Sequence, residues 1–175
     1  MRGGVQGGTD GPSTHRRRQG VRRMAAIQMM TRRSERWKQR LICMQEHVRT
    51  HLECLDENEL EWAPDVGIAS IGDHVSSICS AQWDLARCLV GDFDPCRAAS
   101  AQLPMKEQLV ASLQGSWRRI SNWLADEGLL ALDEDGDPSR EDALLEHITL
   151  VGVELGASQT LLQLIDPERE LPAVI

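Results

Sequence analysis

The sequence predicts an all-α fold, a four-helix bundle, on three observations. Apolar residues recur every three or four positions through four long stretches; no segment alternates with strand-type composition; and segments bearing proline or glycine separate the stretches. Helices of roughly 20 residues, each about 30 Å long, bury such stripes by packing side by side. At 175 residues the chain suits one domain, with a Gly/Arg-rich tail over 1–30, the bundle over 31–167 and a short C-terminal tail over 168–175.

The first helix is expected from Thr31 to about Leu55, where Trp37, Leu41, Met44, Val48, Leu52 and Leu55 share one face. DENELEWAPDVGIA interrupts that pattern with Pro64 and Gly67. The second helix begins at Ser70, whose hydroxyl caps the free N–H groups while Asp73 supplies first-turn negative charge. Its inner stripe is Ile71, His74 with Val75, Ile78, Leu85 and Leu89, and it runs to about Val90, with Gly91 as the stop.

Pro104 suits the first turn of a third helix, whose stripe is Leu109, Leu113, Trp117, Ile120 and Leu124, with Gly128 near its end. After the acidic turn DEDGDP, Ser139 and Asp142 open a fourth helix that reaches about Ile165, before Pro167. Leu144, Ile148, Val151, Leu155, Leu162 and Ile165 form its buried side. DEDGDP places its glycine at the wrong offset for a calcium loop and reads as a solvated turn. Connections of about 15 residues follow the first two helices and are long enough to carry the chain across the bundle end.

Charge is unevenly placed. Residues 1–33 hold eight arginines and one aspartate, so the remaining 142 residues carry −15 to give the net −8. The acidic body repels nucleic acid, and only the tail attracts it. MRGGVQGGTDGPSTHRRRQGVRR has little to bury and is expected to be disordered, a passive extension ahead of a start at Met24, Met29 or Met30. No run of about 18 uninterrupted apolar residues and no secretory h-region appear, so a cytoplasmic protein without a membrane span is expected. Five cysteines, Cys43, Cys54, Cys79, Cys88 and Cys96, contain no CxxC pair and fit small buried hydrophobes in a reducing compartment. The five tryptophans fit core or interface packing.

The run WKQRLICMQEHVRTHLECLDENELEWAPDVGIASIGDHVSSICSAQWDLARCL resembles the N-terminal half of DinB-like proteins (DinB/YfiT type). Leu55, Leu60, Trp62, Pro64, Ser70, Ile71 and His74 stand where that family has its "L…eeL.W.P" turn and "SI…H" helix start, and LLEHITLVGVELGASQTLLQLI resembles its last helix; the likeness covers about 34–166. It implies a four-helix bundle, often dimeric. There, one second-helix histidine and a last-helix HxxxH pair bind zinc or nickel, for transferases and isomerases that use low-molecular-weight thiols such as mycothiol or bacillithiol. Three imidazoles leave an open coordination position that lowers the pKa of a bound thiol or water.

His74 matches the second-helix ligand, but the pair does not carry over. Alignment on Gln159 puts Gly152 and Gly156 at the pair's positions, and alignment on His147 puts Val151 at the second. The resemblance therefore implies a degenerate metal site, a non-catalytic binding or scaffold homodimer with room for a small-molecule ligand, and no cofactor. The competing expectation is a metal- and thiol-dependent enzyme using His74 with His147 and Glu154, the last two seven residues apart on one helical face. Two further readings are a metal pair at His47 and His51 with Cys54 one turn on, and a nucleic-acid contact through the basic tail. His74 also reads as a core or boundary histidine bonded to a polar neighbour, and Gly152 with Gly156 as a tight helix crossing or the floor of a pocket opposite it. GxSxG, Walker, Rossmann and HExxH signatures are absent from the sequence.

Overall fold

The computed structural model describes residues 35–91, 104–125 and 138–171, all within one compact unit, Ser34–Ile175. The basic tail, Cys96, Gly128, residues 133–137 of the DEDGDP turn and the last four residues lie outside the described residues. Within them the fold is all-helical, with no strand: α1 (35–54), α2 (Glu57–Glu61), α3 (Ile71–Val90), α4 (Met105–Ala125) and α5 (Pro138–Ile165).

The short α2 falls inside the segment expected to be irregular. Its start is a reciprocal cap: the Asp56 carboxylate accepts from the Glu59 N–H at 2.8 Å and the Glu59 carboxylate from the Asp56 N–H at 2.8 Å. Leu60, its one buried residue, anchors it to the core, and the Ile71 N–H donating to the Trp62 carbonyl ties its end to α3. Periodicity could not reveal five residues with a single apolar anchor. The bounds of α3 are those expected, with Gly91 at φ +92° closing it by donating its N–H to the Arg87 carbonyl.

α3 packs against both α4 and α5. α1 completes the core through the bond between His51 and Ser158 and that between Trp37 and Glu141. The end of α1 is held by two cations, as its negative dipole end favours: Lys106 donates to the Glu53 and Leu55 carbonyls, and Arg169 donates to the Cys54 carbonyl and pairs with Glu59. Residues 168–171, expected as a tail, thus bring Arg169 and Leu171 back onto the body.

The apolar core divides in two. One cluster takes Val48, Leu52, Val75, Ile78, Leu109, Leu113, Val151 and Leu155; the other takes Leu41, Leu85, Leu89, Ile120, Leu124 and Leu144. On every long helix a single buried polar residue stands between the two sets: Gln45 on α1, Gln82 on α3, Ser116 on α4 and His147 on α5. The same order fixes chain direction. α1 and α5 run from the second cluster to the first, while α3 and α4 run from the first to the second. The end of α3 and the start of α4 therefore lie at opposite ends of the core. Met105 confirms the sense, since its Sδ lies beside Gly72 at the start of α3.

Several burial expectations are corrected. Trp117 and Ile148 are half-buried and Ile165 is exposed, while His147 and Ser158 fill the inner stripe of α5. Of the described cysteines only Cys79 is buried, its thiol pushed up to about 12 by burial; Cys54 and Cys88 are exposed. All five tryptophans are half-buried. α5 is long and apolar enough, from Arg140 to Ile165, to cross a membrane by length and composition, at mean hydropathy 1.4. That apolarity has two sources, an inner stripe packed on α1 and α3 and an outer face bearing exposed Leu145, Val153 and Leu164.

Candidate functional site

The capping box at Ser70 fixes where His74 stands. The Ser70 hydroxyl accepts from the Asp73 N–H at 3.1 Å and the Asp73 carboxylate accepts from the Ser70 N–H at 2.8 Å. The backbone bond from Ser70, then its hydroxyl, hold the Asp73 carboxyl below its ordinary value. One residue later, the His74 N–H donates to the Ser70 carbonyl, which sets the ring over the first turn of α3.

The ring turns toward α5. His74 Nδ1 lies 2.5 Å from Glu154 Oε2, with side-chain exposures of 20% and 24%. An ionised carboxylate can only accept, so the proton of this bond sits on Nδ1. Asp73, Ser77, Ser80 and Asp84 of α3 continue from the pair as a shallow groove of about 500 Å³ beside Glu154 and Leu150.

His147 does not join them. It is buried opposite Ala81, seven residues further along α3 and so about 10 Å along the axis from His74. Burial holds its pKa down to about 4, opposed by the Ala81 carbonyl, and its Nδ1 has no hydrogen-bond partner among the described residues. Three donors around one metal must each lie about 2 Å from it. The structure instead brings His74 and Glu154 into direct contact and leaves His147 two turns away. In such a pair the carboxylate orients the imidazole from behind and does not sit beside it as a second ligand.

The other pair separates as well. His51 is buried, with Nε2 2.7 Å from Ser158 Oγ, while His47 is half-buried between α1 and α5 and Cys54 is exposed. Burial first, then the nearby Arg169 cation, hold the His51 pKa down to about 4 against the opposing Glu59. Among the described residues no group of three or more histidine, cysteine, aspartate or glutamate side chains is placed to hold a metal ion. The donors among the described residues do not fit the divalent metal that the family resemblance implies.

Gly152 and Gly156 form no tight crossing. A Cβ added at either would meet nothing within 4 Å among the described residues. Sequence reasoning also missed the Gln45–Gln82 and His51–Ser158 bonds. A signal for the first was present, since Gln82 fills the helical gap between Ile78 and Leu85, and Gln45 the gap between Leu41 and Val48. Comparison with protein-family models, with curated proteins and with solved structures gave no match.

Proposed function

We propose that the chain is a DinB-like four-helix bundle with a degenerate metal site, a cytoplasmic, non-catalytic binding or scaffold protein that works as a homodimer. The observation that carries this reading is the direct bond from His74 to Glu154, with His147 two turns away. The carboxylate is paired with the Nδ1 of the ring rather than with an ion. Four long helices, two running each way, support the bundle. The exposed Leu145, Val153 and Leu164 of α5 support a second copy as the partner.

Elemental analysis of protein purified without a histidine tag tests the metal reading, and sedimentation tests the dimer. Metal-free dimer is expected. Stoichiometric zinc or nickel that disappears in His74→Ala would favour instead the divalent-metal, thiol-dependent transferase or isomerase reading on His74, His147 and Glu154. The basic tail carries a further reading, nucleic-acid association, which deletion of residues 1–29 tests by RNA binding at low salt; unchanged binding rejects it.

A further inference from the structure

We infer that the groove between α1 and α5 binds a small amphipathic carboxylate, an inference that rests on reading the chain as a binding protein. The groove encloses about 390 Å³, within the roughly 300–1,000 Å³ of small-molecule sites, and its walls are Met44 of α1 with Ile148, Val151 and Leu155 of α5. Gly152 opens it, because a residue with no side chain stands where any other would project into open space.

The rim supplies the sign of the ligand. Arg40 and His47, two turns apart on α1, both line the groove, and among the described residues no carboxylate does. This is unusual in a body carrying −15, and the groove on the α3 side of α5 is lined by Asp73, Asp84 and Glu154. Arg49, Arg87 and Arg169 are each matched by a carboxylate at 4 Å or less. Arg40 instead lies over the Trp37 ring, 5.5 Å from its centroid, a contact that leaves guanidinium N–H groups able to take a carboxylate. An apolar body with one anionic end matches walls and rim together. Phosphorylated or polyanionic ligands would leave the four apolar walls against charge.

The test is calorimetric titration of the full chain at pH 7 with decanoate below its micelle concentration, with decyltrimethylammonium as the opposite-charge control. Saturable one-to-one binding of decanoate is expected. Arg40→Gln should weaken it about tenfold, the worth of one charge-assisted bond, and the cationic control should bind at least about tenfold more weakly. Gly152→Leu should abolish binding by filling the groove while the helical circular dichroism and melting temperature stay at or above those of the parent, since its Cβ meets nothing within 4 Å among the described residues and leucine favours the helix over glycine. No saturable binding by the parent, or equal binding by both variants, overturns the proposal. A parent dimer that Gly152→Leu turns into monomer, with no decanoate bound by either, gives the groove to a second copy and also overturns it. None of these outcomes depends on the metal content that tests the proposed function.

Discussion

The Gln82 side-chain amide donates to the Gln45 side-chain carbonyl over 2.6 Å, at the level where the apolar core divides in two. Ser116 and His147 stand at the same level on α4 and α5. A buried polar layer of this kind costs stability relative to apolar packing, and its attested use is to fix how helices align. Slippage of one helix by a turn would set Gln45 or Gln82 against leucine, with its amide unpaired.

Gln82→Leu alone should therefore destabilise the chain by about 1–3 kcal/mol, because it strands the buried Gln45 amide. The double variant Gln45→Leu with Gln82→Leu should recover most of that loss and lose alignment specificity. Urea unfolding gives the energies, and broadened amide resonances in the double variant report the lost alignment.

Acid should destabilise the fold through its two buried histidines. His51 and His147 have folded pKa values lowered from 6.5 to about 4, so the unfolded chain binds more protons between those values. Their neutral forms contribute fully above pH 6.5, and that contribution falls as pH drops toward 4, by roughly 3 kcal/mol for each at 1.36 kcal/mol per unit. Unfolding free energy measured from pH 7 to pH 4 should fall accordingly, and His147→Leu should flatten about half of the slope.

Ser158→Ala should cost about 1–3 kcal/mol, because it removes the one hydrogen-bond partner that His51 has among the described residues and leaves both ring nitrogens unsatisfied. Thermal melting at pH 7 checks this, with Thr160→Ala as a control whose hydroxyl bonds only its own helix at the surface.

Two glycines should respond oppositely to alanine. A Cβ at Gly72 would lie 2.8 Å from the Leu60 carbonyl oxygen and 2.7 Å from the Met105 sulfur, so Gly72→Ala must push α3 off α2 and should destabilise. Gly156→Ala meets nothing and should stabilise by about 0.5–1 kcal/mol through helix propensity. Melting temperatures of the two variants should move in opposite directions.

The long helices were legible because their apolar stripes are regular: Leu41, Val48 and Leu52, or Leu109, Leu113 and Ile120, are buried as their spacing requires. Ser70 and Gly91 marked the ends of α3 because caps depend on local chemistry. The site was less legible. Glu154 and His147 share a helical face, yet α3 packs along that face over several turns, so sharing it did not make them neighbours of the same histidine. Ser158 and Gln82 were passed over because single polar residues on a buried stripe leave no periodic trace of their partners. Gly152 and Gly156 read as a crossing, whereas a Cβ at either would meet nothing within 4 Å among the described residues.

The state of the His74 ring tests the central claim most directly. Nitrogen-15 NMR of the imidazole, followed through a zinc titration at pH 7, should show a proton on Nδ1, bonded to Glu154, and ring shifts that do not move as zinc reaches one equivalent. Stoichiometric zinc-induced shifts of His74 together with His147, lost in Glu154→Gln, would contradict the account and restore a metal centre.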